Sequence, residues 1–256
     1  MKIIDSHCHL DRVDLRDFDG DFDNVLKASY EKSVQEFLCV CIDFENFDAV
    51  LNVAKKYPNI YASRGLHPVN DEGAIPSVDE ILKYCDDENI IAIGETGLDY
   101  FHIKKEDADW QRQRFVNHIE AGKKSNKPII IHTRNAKEDT LKIMEFEGAN
   151  SGVMHCFVED YTTAMRAIEM GFYISLSGVL TFNSAKELQE TAKKIPLDKI
   201  LVETDSPYLS PAPFRGKPNH PANTYFVAER LAKLRGISLD EVAEATTNNF
   251  YKLFNL

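Results

Sequence analysis

Ile3-Ile4-Asp5-Ser6-His7-Cys8-His9 opens a chain of 256 residues. An apolar pair running into alternating small and polar residues reads as a strand and its end. Alternate side chains of a strand share a face. His7 and His9 are two apart, so they are expected to point the same way. Two imidazoles converging at a strand end supply half of a metal site, because neutral imidazole is the commonest metal ligand. A lone His-x-His pair is a weak signal, and its weight depends on what the rest of the chain places beside it.

Short apolar stretches alternate with longer amphipathic ones along the whole sequence, the pattern of parallel βα units. Strands are predicted over residues 3–8, 37–42, 60–65, 90–95, 128–132, 151–155, 172–176 and 199–205. Helical periodicity fills the intervals, near 21–34, 44–57, 78–86, 108–125, 137–146, 161–170 and 184–195. Pro58 stops the second helix. Two further helices end the chain. The last begins with Ser238-Leu239-Asp240-Glu241, a capping-box pattern in which serine and glutamate satisfy free amide groups. Eight strands with intervening helices predict the α/β class, as a single (β/α)8 TIM barrel forming one domain over residues 1–256. Function in that fold gathers at the C-terminal ends of the strands.

Composition narrows the partners. There are 30 Lys and Arg residues against 41 Asp and Glu, a formal net charge of −11. That argues against attachment to nucleic acid through a broad basic surface. It leaves open a nuclease that holds one phosphate with metal ions and a few local cations. Five scattered cysteines (Cys8, Cys39, Cys41, Cys85, Cys156) do not form a disulfide framework. They point to a reducing, cytoplasmic compartment. No leader-like or membrane-spanning stretch is present, and no obligate protein partner is evident.

The strand ends carry the chemistry. His7, His9, His67, His132 and His155 all fall there, with Glu95 ending the fourth strand and Glu203 and Asp205 on one face of the eighth. Six of these are candidate metal ligands: His7, His9, Glu95, His132, His155 and Asp205. Six exceed what one tetrahedral zinc requires, so two divalent ions are expected, bridged by Glu95. One would take His7, His9, Glu95 and Asp205, the other Glu95, His132 and His155. Such a pair binds a phosphodiester, activates a water and neutralises attacking and leaving oxygens.

Asp5-Ser6-His7-Cys8-His9-Leu10, Gly65-Leu66-His67-Pro68, Gly94-Glu95-Thr96-Gly97-Leu98-Asp99-Tyr100, Ile131-His132-Thr133-Arg134, Met154-His155-Cys156-Phe157 and Glu203-Thr204-Asp205-Ser206-Pro207-Tyr208-Leu209 occur in this order. Together they resemble the TatD family of metal-dependent hydrolases, and within it the YcfH-like branch, from the first residues to the last helix. The resemblance implies a TIM-barrel metallohydrolase. It also implies a deoxyribonuclease activated by Mg2+, Mn2+ or Zn2+, often a 3′ exonuclease. It agrees with the two-metal ligand set residue by residue. Asn135, where an acidic residue is frequent in the family, and His220 depart from its pattern without touching that set.

Further candidates are Glu203, as a partner orienting a ligand or water, and His67, as a hydrogen-bond donor to the scissile phosphate or leaving group. Asp205 is a ligand and a candidate general base. Arg134, Arg215 and Lys217 are candidate phosphate contacts. Tyr100, Phe157 and Tyr208 are candidate base-stacking residues. The leading expectation is a 3′ exonuclease acting on ends of single-stranded DNA. The alternatives are hydrolysis of a small ester, amide or phosphoester by the same site, and a non-catalytic metal-binding protein.

Overall fold

The computed structural model describes residues 1–256. Eight strands appear in chain order: β1 (Ile3–Cys8), β2 (Val34–Cys39), β3 (Ile60–Arg64), β4 (Ile90–Asp99), β5 (Ile129–Arg134), β6 (Gly152–Met154), β7 (Phe172–Leu176) and β8 (Ile200–Val202). They form one parallel sheet in sequential order. Helices α1 (Phe22–Glu31), α2 (Phe47–Lys56), α3 (Val78–Leu82), α4 (Asp109–Ser125), α5 (Lys137–Phe146), α6 (Tyr161–Glu169) and α7 (Lys186–Lys194) separate the strands. Helices α8 (Thr224–Arg235) and α9 (Leu239–Phe254) follow the last strand. Ser238 and Glu241 form the expected capping box at α9. No helix is long and apolar enough to cross a membrane.

Two apolar layers build the barrel. Ile4, Leu38, Ile91, Ile130, Val153, Tyr173 and Leu201 pack together inside it, with half-buried Tyr61 against them. Each of the eight strands thus sends a side chain inward, as a filled barrel requires. Phe250, Leu253 and Phe254 of α9 join this inner cluster. Residues of the opposite strand faces, such as Ile3, Phe37, Ile129 and Ile174, pack outward with helical residues such as Phe115 and Leu231.

The seam between β8 and β1 is closed by side chains as well as backbone. Thr204 donates to the Asp5 carboxylate from its amide (2.9 Å) and hydroxyl (2.6 Å), and Ser6 Oγ donates to the Val202 carbonyl (3.0 Å). The Asp205 amide donates to the His7 carbonyl, and the His9 amide to that of Ser206. The eighth strand therefore stops at Val202 rather than reaching Asp205. The amide of Thr204 is spent on a side chain, and Asp205 adopts a left-handed backbone (φ 56°). Burial pushes the Asp5 carboxyl up to about 7, against the Thr204 hydrogen bonds.

The fourth strand departs from expectation in the opposite direction. Residues 96–99, beyond the predicted strand 90–95, continue β4 and pair with β5 up to Asp99 opposite Arg134. Gly97 makes this possible: its φ is +136°, and a Cβ there would lie 2.0 Å from the His132 carbonyl oxygen. Simple alternation placed Glu95 on one face with Ile91 and Ile93. Instead Ile91 packs inside the barrel and Ile93 outside. Register shifts on both sides of β4 change the phase, as bulges do when they re-aim a side chain. Glu95 consequently points to the interior of the rim.

Helix α4 carries a buried stripe of Gln111, Phe115 and Ile119, and two further buried polar residues, Arg114 and His118, on the same side. These hold the loop after β3. Arg114 donates to the carbonyls of His67, Asn70, Asp71 and Ala74 at 2.6–2.9 Å. Gln111 Nε2 donates to the Pro68 carbonyl at 3.0 Å. His118 Nε2 accepts the Leu66 amide at 3.1 Å while Nδ1–H donates to the Arg114 carbonyl at 2.8 Å.

That double role requires neutral imidazole, and burial pushes the His118 pKa down to about 4. An unfolded histidine titrates near 6.5. Below that pH the unfolded chain binds a proton that the fold excludes, so stability is expected to fall as pH drops from about 6.5 to about 4. The loss approaches about 3 kcal/mol. His118→Gln should flatten this part of the acid limb in urea unfolding measured at a series of pH values. An unchanged slope would remove His118 as its cause.

Candidate metal centre

Every candidate metal ligand reaches one spot at the C-terminal rim. Glu95 lies at its middle, 2% exposed. Its Oε1 is 2.9 Å from His155 Nε2, 3.2 Å from His132 Nδ1 and 3.3 Å from His67 Nε2. Its Oε2 is 3.3 Å from His7 Nε2. Asp205 Oδ1 lies 3.3 Å from His9 Nε2 and 3.7 Å from His7 Nε2. The two oxygens of one carboxylate thus face different imidazoles, Oε1 those of His67, His132 and His155 and Oε2 that of His7. His7 and His9 do converge, with ring centroids 5.1 Å apart. A register irregularity between Asp5 and Cys8 turns them inward although Ile4 also faces in.

The remaining nitrogens decide which lone pairs are free. His9 Nδ1 lies 2.9 Å from the Val40 carbonyl oxygen. Its proton belongs there, which leaves the Nε2 lone pair toward Asp205. His155 Nδ1 lies 3.1 Å from Glu203 Oε1, leaving Nε2 toward Glu95. His132 Nε2 lies 3.1 Å from Asp99 Oδ2, leaving Nδ1 toward Glu95. Imidazoles pinned on one nitrogen by a carbonyl or carboxylate are the usual form of a metal-ligating histidine. Lone pairs aimed at carboxylate oxygens around 3 Å away repel unless a positive charge lies between them.

This donor set fits divalent cations that accept imidazole and carboxylate. His7 has no hydrogen-bond partner on either nitrogen, and one oxygen of buried Glu203 has none. Three overlapping groups, His7–His9–Glu95, His7–His155–Glu203 and His67–Glu95–His132, have ligand atoms spaced closely enough to hold an ion.

Burial works against a charge on His155, but Glu95 and Glu203 outweigh it and hold its pKa well above the ordinary range. Burial likewise opposes the charge on Glu95, yet His155, His67 and His132 hold its carboxyl well below the ordinary range. Burial and neighbouring His155 push His7 down.

His67 differs from the ligand histidines. Its Nδ1 accepts the Val69 amide at 3.2 Å, so in the neutral ring Nε2 carries the proton and faces Glu95 as a donor. Its pKa is lowered by burial, against the pull of Glu95. Glu203 and Asp205 do not act on a common partner. Glu203 accepts from His155 and from the Cys156 amide (2.8 Å), whereas Asp205 faces His9 and His7. Their expected shared face is lost because the strand ends before either residue.

The proposed stacking residues are corrected in part. Phe157 is 1% exposed and belongs to the outer apolar core. The Tyr100 hydroxyl is engaged by Asp139 (2.9 Å) and Arg112 (3.1 Å). Tyr208 is half exposed, its ring 6.0 Å from that of His9. Arg134, Arg215 and Lys217 are exposed, outside the ligand cluster. Asp99 was not singled out among the site residues from sequence. Its signal was its position: four residues beyond Glu95 on a strand that continues, it shares that residue's alternation phase.

Comparison with known proteins identifies the relatives of this chain. The family model described as TatD related DNase matches residues 4–255. The metal-dependent hydrolase YcfH of Escherichia coli K12 is 41% identical over 258 residues, covering all of this chain and 97% of that protein. Mouse TATDN3, described as a putative deoxyribonuclease, is 30% identical over 99% of this chain and 88% of its own length. The crystal structure of YjjV, a TatD homologue from Escherichia coli K12, superposes with a TM-score of 0.91 at 30% identity, covering 99% of this chain and 98% of that one. On the family model, the identity with YcfH and the shared eight-stranded barrel, the chain belongs to the TatD family and is a metal-dependent hydrolase.

Proposed function

We propose that the protein is a deoxyribonuclease that removes nucleotides from the 3′ end of single-stranded DNA, with two divalent metal ions (Mg2+, Mn2+ or Zn2+) as cofactors. The observation that carries the reading is the split of Glu95: Oε1 faces His132 and His155, and Oε2 faces His7. That division suits one ion held by His7, His9, Glu95 and Asp205 and another by Glu95, His132 and His155. When bound, such ions polarise a phosphodiester and make water nucleophilic near neutral pH. Around them, Glu203 and Asp99 hold His155 and His132 by their far nitrogens. His67 offers its Nε2 proton to a phosphate oxygen or the departing oxygen. Asp205, whose Oδ1 faces His9 and His7, takes a proton from the attacking water. Arg134, Arg215, Lys217 and Tyr208 are the substrate contacts on the rim.

A second reading, hydrolysis of a small ester, amide or phosphoester, draws support from the net charge of −11, which repels a polynucleotide at long range. The test is incubation of metal-loaded protein with 5′-labelled single-stranded DNA, with each metal supplied separately. A ladder shortening from the 3′ end is expected. Intact DNA beside turnover of a small ester would overturn the nuclease reading in favour of the second.

A further inference from the structure

Three arginines of the chain are exposed: Arg16, Arg134 and Arg215. In a protein with 41 acidic residues, an exposed guanidinium readily finds a carboxylate. Arg16 does so, pairing with Asp14, and the half-buried Arg12, Arg112 and Arg166 also pair with acids. Arg134 and Arg215 do not. Each instead lies on a phenylalanine ring. The Arg134 guanidinium carbon is 3.8 Å from the centroid of Phe101, and that of Arg215 is 4.1 Å from Phe182.

Both stacks sit on the rim that carries the ligand cluster, on different arcs of it. Arg134 ends β5, two residues after His132, and Phe101 follows β4. Phe182 lies beyond β7 and Arg215 beyond β8. The first stack is tied directly to the centre. The Asp99 carboxylate accepts the amide of Phe101 at 3.0 Å and meets His132 Nε2 at 3.1 Å. Phe101 is itself 58% exposed, an apolar ring left open beside an unpaired cation.

We infer that the Phe101–Arg134 and Phe182–Arg215 stacks are two phosphate-binding pads that hold a polynucleotide strand across the rim, by phosphates other than the one being cleaved. A guanidinium flat on a ring keeps its in-plane N–H donors free. Those donors match a phosphate bidentately. The ring supplies cation–π support and limits the rotamers that binding must freeze. The phenylalanines act as positioning residues, and the pads make chain length a determinant of specificity. This inference rests on the polynucleotide reading above.

The test compares single-stranded oligonucleotides with bis(4-nitrophenyl) phosphate, a small phosphodiester that carries no second phosphate. Phe101→Ala and Phe182→Ala preserve net charge. Each is expected to lower kcat/KM for the oligonucleotide about tenfold more than for the small diester, with the loss in KM, and Phe101→Trp is expected to restore it. A second readout is binding of a fluorescein-labelled phosphorothioate oligonucleotide across a salt series. Arg134→Ala and Arg215→Ala should each reduce the slope of log K against log salt by about 0.7, one phosphate contact on a single strand. Wild-type cleavage of DNA with variants that treat both substrates alike, or with unchanged salt slopes, overturns the pads and leaves the nuclease reading intact. Wild-type turnover of the diester with no binding or cleavage of the oligonucleotide overturns both.

Discussion

Glu95→Gln is expected to abolish hydrolysis, lowering turnover by about three orders of magnitude or more while the barrel stays folded. The side chain keeps its size but loses its charge and one acceptor oxygen. Four imidazoles converge on the two oxygens of Glu95 within 2.9–3.3 Å. An amide NH2 placed on either side offers a donor where a cation requires a lone pair. Metal-assisted charge stabilisation is worth several kcal/mol, and each 1.4 kcal/mol is a factor of ten in rate. Metal content and turnover should therefore fall together, with the circular dichroism spectrum unchanged. Full metal occupancy with retained turnover in the variant would remove Glu95 from the centre of the site.

Arg114→Met is expected to cost about 3 kcal/mol of stability. Arg114 is fully buried and has no carboxylate partner. It satisfies the carbonyls of His67, Asn70, Asp71 and Ala74, and hydrogen bonds to a charged group are worth about 1.5–3 kcal/mol each. Burial lowers its pKa to about 10, which records the cost of holding the charge there. Methionine fills much of the volume but leaves those carbonyls without a donor. Some will turn to water, so the loss is smaller than the sum of the bonds.

Because the His67 carbonyl is one of the four, kcat should fall with KM little changed as the His67 ring loses its position beside Glu95. Arg114→Lys, with a single ammonium in place of the fork, should recover only part of both losses. Urea unfolding and steady-state kinetics measure them. Stability within 0.5 kcal/mol of the wild type, a threshold about the size of an ordinary surface change, would show that the loop holds itself.

The barrel follows from features that sequence carries openly. Buried parallel strands are apolar nearly throughout, as in Ile129-Ile130-Ile131, and the helices between them are amphipathic. The candidate ligand residues were readable for a related reason. The fold places strand ends on one rim, so histidines and carboxylates at those ends, from His7 to Asp205, must meet whatever the details of each strand. What alternation along a single strand did not determine was the direction of Glu95, the parting of Glu203 from Asp205, or the continuation of β4 to Asp99. Those depend on register between neighbouring strands and on side chains such as Asp5, which takes a backbone donor that a ladder would otherwise use.

The same limit hid Arg114 and His118. On a helical wheel they are polar residues beside an apolar stripe, and the loop groups they hold lie 40 to 52 residues away in the chain. The sequence by itself determined the fold class, the rim and the set of candidate ligands that gathers there, because these rest on local periodicity and on the order of the strands. The tertiary structure decided which nitrogen of each histidine is free, which carboxylate holds which ring and which arginines lie unpaired on the rim. Those are pairings between distant segments, fixed by the distances and hydrogen-bond geometry of the folded chain.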